Sequence, residues 1–370
     1  MRANRVVLAG FYPPPFAGEP VHVKQLAQLL RARGLVVEVL NLKRGAHPSS
    51  EYRSSKGRGA LLWKLFTLAD RASILHLHTN GHNRKSWLLI LVAALAGRLR
   101  GVSTVLTLHS GLLPAYVGGF GRIAGRVARW ILRSFARVVC VNGEIRQVIE
   151  RLGIPGDHIV VIPAFLGVPQ AAALAAPDRA LIQDLHPLLV AVAGGEEDPE
   201  RGLGIVLRAV RQLVPVMPGL GVLLMGWEVG PRTRPLIAEL GLAGRAVCLG
   251  EVPHDRCLAF IRAADVVVRS TFADGDAITV REALAFGVRV VASDTDFRPE
   301  GVTLFRKGDV GDLAAKLEQV LAVPRAGGPA PVEPHDQPAR DLWELYSELT
   351  RPGDDAAQLL RPPRRPAASR

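Results

Sequence analysis

Short runs of apolar, often β-branched residues recur along the chain and alternate with segments whose apolar residues follow a helical spacing. The run RVVLAG at residues 5–10, for example, is followed by the helix-like segment VHVKQLAQLLRARG at residues 21–34. Continuous apolar runs separated by helices are typical of a parallel sheet with helices on both faces. Six such runs lie in the first part of the chain, at residues 5–10, 36–40, 73–78, 104–108, 137–142 and 158–162.

The same alternation resumes after an Ala- and Pro-rich stretch that lacks a clear strand pattern. The second series of runs lies at residues 188–193, 220–225, 246–249, 265–268, 288–292 and 302–305. The pattern predicts two Rossmann-like domains, at residues 1–165 and 188–335, with a linker at 166–187. The last residues, 353–370, contain RPPRRPAASR and are predicted to be a disordered basic tail.

Composition narrows the class of protein without identifying it. A formal charge of +12 suits an anionic partner, but the arginines are scattered and no nucleic-acid-binding motif accompanies them. We therefore expect no nucleic acid and leave open a peripheral contact with an anionic membrane. The three cysteines have no paired spacing, and the N-terminus has no signal-peptide pattern, so a cytoplasmic protein is expected. The longest apolar stretch, at 87–96, is about half the length of a transmembrane helix and predicts a buried domain helix.

The most informative segment is TFADGDAITVREALAFGVRVVASD, which begins at Thr271. It predicts a loop, a helix at 279–286 ended by Gly287, and a buried strand. The free N–H groups at the start of this helix favour an anion such as pyrophosphate, and Glu282 lies about one turn into the helix. This arrangement suggests a nucleotide-sugar site. The same residues also fit a helix capped by Asp274 or Asp276, with Glu282 facing solvent.

The spacing D-x7-E, followed by ALAFGVRVVASD, resembles the E-x7-E region of glycosyltransferase family 4. Members of that family are retaining enzymes of the α/β GT-B fold, in which two Rossmann-like domains face an interdomain cleft. The resemblance implies that a C-terminal helix, here at about 336–352, crosses back to the first domain. It also implies that Glu282 holds the donor ribose and that Asp274, which stands where the family usually has Glu, holds the donor sugar.

Further site residues follow from the same resemblance. The helix start at Ala277, Ile278 and Thr279 would bind the donor diphosphate. The family has an Arg and a later Lys for this purpose. Here Arg201 stands at the Lys position, and Gly194 or Gly195 at the Arg position, so that one cation is missing unless Arg269 or another basic residue replaces it.

The first domain is expected to contribute the remaining groups. His109 follows a strand and should emerge at the carboxyl edge of the sheet, where the family has a His near the transferred sugar. Gly18 matches the glycine loop of the family as a donor-binding residue, and Glu19 replaces its second glycine. Glu19, His22 and His78 are predicted on the acceptor side.

The resemblance implies transfer of a sugar from a UDP- or GDP-sugar to a glycan or lipid-linked acceptor in surface polysaccharide or glycolipid biosynthesis. The enzyme would work in the cytoplasm, at the inner face of the membrane where the acceptor is lipid-linked, and would need no cofactor and no metal. Three alternatives remain open. They are a non-catalytic GT-B homologue that binds a sugar nucleotide or partner, a nucleotide-sugar epimerase, and a metal-dependent hydrolase that uses His76, His78 and His82.

Overall fold

The structure, a computed structural model, consists of two compact units. The first unit comprises Met1–Tyr12, His22–Leu166 and Gln337–Arg370, and the second comprises Pro13–Val21 and Gly167–Asp336. Side chains of residues 58 and 199–201 are not described. The residues that the structure describes are 5–43, 45–54, 57–69, 74–167, 173–192, 199–226, 229–231, 233–295, 297–323 and 337–349.

The first unit is built on a six-stranded parallel sheet in the order β2-β1-β3-β4-β5-β6. Its strands are β1 (Arg5–Gly10), β2 (Val36–Asn41), β3 (Ile74–Thr79), β4 (Ser103–Leu108), β5 (Arg137–Cys140) and β6 (Ile159–Val161). Its helices are α1 (Gly18–Ala32), α2 (Arg58–Ala69), α3 (Arg84–Arg100), α4 (Leu113–Gly118), α5 (Arg122–Leu132), α6 (Gly143–Arg151) and α13 (Gln337–Leu349).

The second unit has a six-stranded parallel sheet in the order β12-β11-β10-β7-β8-β9. Its strands are β7 (Leu188–Val192), β8 (Gly221–Met225), β9 (Ala246–Gly250), β10 (Val266–Arg269), β11 (Arg289–Ser293) and β12 (Val302–Phe305). Its helices are α7 (Ala176–Ile182), α8 (Pro199–Leu213), α9 (Thr233–Glu239), α10 (His254–Ala263), α11 (Ile278–Ala285) and α12 (Val310–Ala322).

The twelve predicted strand runs all form strands of these two sheets, and the predicted α/β class is confirmed. The runs are recognisable because strands such as β3 and β8 are buried along their whole length. In each sheet the order reverses beside the first strand, between β1 and β3 in the first unit and between β7 and β10 in the second. Ligands of doubly wound sheets bind outside the carboxyl ends of the strands at such a switch point.

The stretch predicted as a linker contains α7, whose Ile182 packs with the buried Leu185 into the core of the second unit. One other segment differs from its sequence-based description. The apolar stretch at 87–96 does lie in a helix, α3, but Leu88 and Leu95 on this helix are 51% and 38% exposed. When a helix is apolar on all its faces, its sequence has no periodic pattern to indicate which face is exposed.

Helix α13 belongs to the core of the first unit. Leu342, Leu345 and Tyr346 are buried there against α1 and the strands of the first sheet. The domain limits proposed from the sequence remain predictions, and the predicted basic tail at 353–370 lies outside the described residues.

Candidate active site

The carboxyl edge of the second sheet carries a buried cluster of charged side chains at its switch point. Arg269 is the last residue of β10, and its Nη1 donates to the carbonyl oxygen of Val192, at the end of β7, over 3.0 Å. This hydrogen bond joins the two strands between which the strand order reverses. Arg269 therefore lies where a doubly wound sheet binds its ligand.

Asp274 is the centre of this cluster. Arg269 donates to it through Nε (3.0 Å to Oδ2) and Nη2 (2.6 Å to Oδ1), and the Thr271 hydroxyl also donates to Oδ2. Arg298 Nη1 donates to Oδ2 over 2.6 Å. Burial by itself raises the pKa of the Asp274 carboxyl, but the charges of Arg269 and Arg298 outweigh it and hold this pKa well below its usual range.

Arg298 is fixed more tightly than an ordinary surface arginine, since its side chain is 4% exposed. Its Nε donates to the carbonyl oxygen of Ser293, and its Nη2 donates to the hydroxyls of Thr271 and Ser293. Two guanidinium groups thus share one carboxylate, and the cluster of Arg269, Asp274 and Arg298 has a net charge of +1.

Glu282 lies on α11 and is completely buried. Its Oε1 is 2.6 Å from Nε2 of His254, the first residue of α10. Within the described part of the chain, Oε2 of Glu282 has no hydrogen-bond partner. A buried acceptor without a partner is costly, and it is well suited to accept a hydroxyl hydrogen from a ligand. The predicted solvent-facing alternative for Glu282 is therefore wrong.

Helix α11 begins one residue earlier than predicted, at Ile278, with Ala277 as its N-cap. Because the N-cap is Ala277, which has no side chain able to cap the helix, the alternative in which Asp274 or Asp276 is the N-cap residue is also wrong. Ala277 and Ile278 are buried and Thr279 is half-buried. Their backbone lies where an anion would be stabilised by the helix N-terminus.

The first unit has its own polar cluster at its switch point, and it consists of histidines. His22 on α1 is 2% exposed, and its Nδ1 lies 2.6 Å from the carbonyl oxygen of Ala164. Because a carbonyl only accepts, the Nδ1–H must donate, and Nε2 of His22 carries the lone pair. Nε2 has no hydrogen-bond partner among the described residues.

His76 and His78 lie on one face of β3, and His109 follows β4. His76 has partners at both ring nitrogens, the Tyr346 hydroxyl at Nδ1 and the Thr107 hydroxyl at Nε2, each at 2.7 Å. Nδ1 of His78 lies 3.2 Å from Nε2 of His109. Burial lowers the pKa of all four histidines of the cluster, to about 4 for His22 and well below the usual value for the others.

These pKa values predict that the protein loses stability in mild acid. The folded-state pKa of His22 lies below the unfolded value of about 6.5, so the unfolded chain binds more protons between pH 4 and 6.5 and stability falls as the pH drops through that range. For His22 the expected loss at pH 5.5 is about 1.4 kcal/mol. Urea unfolding at pH 7.5 and 5.5 measures it. His22→Gln, which keeps a donor for Ala164, should reduce the loss; an unchanged loss would contradict the assignment.

The histidine cluster is also where the structure offers ligands for a metal ion. Within the described ranges, the ring nitrogens close enough for one ion belong to His22, His78 and His109, and they lie within 4.8 Å of one another. The set predicted for a hydrolase, His76, His78 and His82, does not form, because both nitrogens of His76 have hydroxyl partners. Neighbouring ligands on tetrahedral zinc lie about 3.3 Å apart, so the rings would have to approach one another to bind zinc.

Of the other predicted site residues, the structure describes some and not others. Gly18 is the first residue of α1 and is exposed, and a Cβ there would meet nothing within 4 Å, so packing within the chain does not require glycine. Glu19, in the first turn of α1, is 7% exposed. Gly194 and Gly195 lie outside the described residues, as does the side chain of Arg201, although residue 201 belongs to α8.

Two residues of the site were not predicted from the sequence. Arg298 lies beyond β11, in a segment with no recognisable motif, and His254 precedes Glu282 by 28 residues. Only the sheet topology brings them to Asp274 and Glu282. A buried carboxylate needs a hydrogen-bond donor or a positive charge beside it. This general requirement was the one indication that such a group would contact Glu282.

Both units match family models. Residues 17–166 match the model described as Glycosyltransferase Family 4, and residues 186–322 match the model described as Glycosyl transferases group 1. With the two Rossmann-like sheets, these matches define an α/β protein of the GT-B class. The chain belongs to glycosyltransferase family 4, the group 1 glycosyltransferases, and is a glycosyl-transferring enzyme.

Named relatives are similar over most of their length. The phosphatidyl-myo-inositol mannosyltransferase of Mycobacterium tuberculosis is 28% identical over 343 residues, which cover 85% of this chain and 82% of the relative. The 2-deoxystreptamine glucosyltransferase of Streptomyces kanamyceticus is 28% identical over 283 residues, 70% of each chain. The crystal structure of Anabaena HepE in complex with UDP and glucose is similar in fold, with a TM-score of 0.65, 19% identity and coverage of 85% of this chain and 89% of HepE.

Among the helices that the structure describes, none combines the length and apolar character needed to cross a bilayer.

Proposed function

We propose that the protein transfers a sugar, with retention at the anomeric carbon, from a UDP- or GDP-sugar to a glycan or lipid-linked acceptor. The observation that carries the proposal is the buried carboxylate of Glu282 near the start of α11. Its Oε1 is bound to His254, while its Oε2 has no hydrogen-bond partner among the described residues. The reaction would belong to surface polysaccharide or glycolipid biosynthesis, in the cytoplasm and at the inner face of the membrane where the acceptor is lipid-linked. The lipid named for the mycobacterial relative supports this choice of acceptor.

The proposed donor site lies at the carboxyl edge of the second sheet. Ribose would donate a hydroxyl hydrogen to Oε2 of Glu282, which already has the right burial and lone pairs. The diphosphate would lie at the start of α11, at Ala277, Ile278 and Thr279, where the helix N-terminus favours negative charge. As the sugar leaves, charge develops on the diphosphate, and fixed backbone N–H groups stabilise it without reorganising.

The arginine cluster offers a replacement for the cation missing at 194 or 195. Asp274 neutralises one of its two guanidinium groups, and the remaining charge of +1 lies at the switch point of the sheet. Arg201 would add a further cation. Asp274 was predicted to hold the donor sugar, and in this arrangement its oxygens accept four hydrogen bonds, three of them at Oδ2. We propose that Asp274 chiefly positions Arg269 and Arg298, and that Oδ1 keeps one acceptor site for a sugar hydroxyl.

We propose that His109 contacts the transferred sugar, and that Glu19, His22 and His78 line the acceptor side. Because burial lowers the pKa of these three histidines, they are neutral at pH 7 and act as hydrogen-bonding groups. Neither the donor contacts nor the departing diphosphate requires a metal ion in this proposal. The acceptor proton would pass to an oxygen of the departing diphosphate.

The proposal is tested by incubating the full chain, in EDTA, with a panel of UDP- and GDP-sugars and with acceptors that include phosphatidylinositol and soluble polyols. Release of UDP or GDP that depends on an acceptor, together with a mass increase of the acceptor by one sugar, is the expected result. NMR of the product would show the donor anomeric configuration retained. Donor binding without any turnover would contradict transfer and favour the non-catalytic alternative.

The contact between His254 and Glu282 yields a prediction about donor affinity. His254→Ala removes the partner of Glu282 Oε1, so the carboxylate loses its fixed orientation. Hydrogen bonds to charged groups contribute about 1.5–3 kcal/mol, so we expect the KM for the donor to rise roughly 10- to 100-fold with a smaller change in kcat. His254→Gln, which retains an N–H donor, should recover part of the affinity. Equal donor KM values for the wild type and His254→Ala would exclude this role.

A further inference from the structure

Helix α5 exposes a row of large apolar side chains to solvent. Ile123, Val127 and Trp130 are 79%, 51% and 54% exposed, and their spacing of four and three residues puts them on one face of the helix. A row of exposed arginines follows the same helix with the same spacing and lies beside the apolar row. These arginines are Arg122, Arg126, Arg129 and Arg133.

The neighbouring helix α3 exposes a second apolar row. Leu88, Leu95 and Leu99 are 51%, 38% and 69% exposed and also share one helical face. Helix α3 contacts both α5 and α2, and Trp63 on α2 is also exposed. We call the two exposed rows of α3 and α5, with the arginines of α5, the α3–α5 surface. Exposed apolar groups of this size concentrated on adjacent helices mark an interaction site.

The charge of the chain is concentrated in the segment that forms this surface. Residues 71–143 contain ten Arg or Lys and no Asp or Glu, so about a fifth of the chain carries +10 of the formal net charge of +12. The arginines are scattered along the sequence, but in this segment no acidic residue balances their charge. A surface with this charge selects an anionic partner.

The α3–α5 surface also borders a polar pocket. It has a volume of about 350 Å³ and lies beside the C-terminal ends of α3 and α5, where it is lined by Arg98, Arg133, Ser103 and Ser134 among others. The hydroxyls of Ser103 and Ser134 already donate to backbone carbonyl oxygens, but guanidinium groups in such a pocket are suited to bind phosphate oxygens. Apolar rows and an arginine-lined pocket are two features that a phospholipid surface would fill together.

We propose that the α3–α5 surface docks on an anionic lipid bilayer, with the apolar rows entering the headgroup region and the arginines contacting lipid phosphates. Amphipathic helices with arginines beside an apolar face bind bilayers in this way. A second copy of the chain is a poorer partner, because a symmetric contact would bring two cationic segments together without acidic residues to pair them. A nucleic acid would contact the arginines but would leave the apolar side chains of both rows exposed to water.

The test is vesicle flotation with the full chain, without donor or acceptor. Vesicles of phosphatidylcholine alone are compared with vesicles that also contain phosphatidylglycerol, at low and high salt. We expect binding to the anionic vesicles, weaker binding at high salt and little binding to phosphatidylcholine alone. The inference rests on the membrane location in the proposed function, but this assay does not depend on sugar transfer, so the two can fail separately.

Two variants of α5 and two matched controls locate the surface. Ile123→Gln/Val127→Gln/Trp130→Gln should weaken anionic-vesicle binding at least about tenfold, because binding strength follows the buried apolar area. Arg122→Gln/Arg126→Gln should weaken it roughly 25-fold, since each arginine near an anionic surface contributes about fivefold. Controls with similar exposure in the second unit are Leu181→Gln/Val216→Gln/Val323→Gln and Arg208→Gln/Arg211→Gln, and they should bind as the wild type does.

Several results would overturn the proposal. One is failure of the wild type to float with anionic vesicles, and another is undiminished flotation of both α5 variants. A third is a stable dimer in light scattering that the apolar α5 variant converts to a monomer, since the surface would then be a contact between copies. A fourth is RNA that displaces the wild type from vesicles and binds the arginine variant more weakly. Circular dichroism and the melting temperature of each variant establish that a loss of binding is not a loss of fold.

Discussion

Replacing Asp274 by Asn is expected to destabilise the second unit by about 3–5 kcal/mol, the cost of breaking a buried ion pair by removing one partner. Arg269 and Arg298 are only 11% and 4% exposed, so neither guanidinium can recover its solvation in water when the carboxylate charge is lost. Arg269 also joins β7 to β10, so strain there would reach the centre of the sheet. Scanning calorimetry of the wild type and the variant measures the effect.

The matched control is Asp178→Asn. Asp178 is also held by both Nε and Nη2 of one arginine, Arg256, but that arginine is 39% exposed. Asp178 itself is buried, but Arg256 can recover its hydration when the carboxylate charge is lost, so the control should cost about 1 kcal/mol or less and melt close to the wild type. If the two variants are equally stable, the arginine cluster does not depend on the charge of Asp274, and its proposed positioning role is lost.

Replacing Glu282 by Ala is expected to weaken donor binding about 10- to 100-fold, which corresponds to the loss of a hydrogen bond to a charged group. The physical reason is that Oε2 of Glu282 is buried and, in the described part of the chain, accepts no hydrogen bond until a ligand supplies one. Isothermal titration with the preferred nucleotide sugar, and the KM for the same donor, measure the loss. Glu282→Gln keeps the shape without the charge and should retain more affinity than Ala.

A control for this prediction is Glu318→Ala. Glu318 also lies on a helix of the second unit, α12, but it is exposed, and no role in donor binding is assigned to it. Its affinity for the donor should equal that of the wild type. Unchanged donor affinity in Glu282→Ala, in a protein that melts like the wild type, would remove Glu282 from the donor site.

The sequence predicts the fold of this protein well because of one physical property of parallel sheets. Strands covered on both faces must be apolar at every position, so runs such as LLVAV in β7 stand out from the amphipathic helices between them. The segment around Asp274 and Glu282 is recognisable for a different reason, since its chemistry is concentrated within a few consecutive residues at a helix start.

The partners of these residues are not recognisable in the same way. Arg298 reaches Asp274, and His254 reaches Glu282, only because β10, β11 and the helices beside them are adjacent in the sheet. Likewise, His22 and His109 lie close to His78 because α1, β3 and the end of β4 are neighbours in the fold. No spacing in the sequence indicates this. The sequence also concealed the exposed row of α3, because periodicity cannot distinguish the covered face of an apolar helix from its uncovered face.

The central claim is that the second unit binds a nucleotide-sugar donor through Glu282. Thermal denaturation of the wild type with UDP, GDP and their sugar conjugates, in EDTA and then with Glu282→Ala, tests it most directly. At about 100 times Kd, one nucleotide should add roughly 2.7 kcal/mol to the stability of the wild type and much less to that of the variant. If no UDP or GDP compound stabilises the wild type, or if the shift is the same in Glu282→Ala, the claim is contradicted.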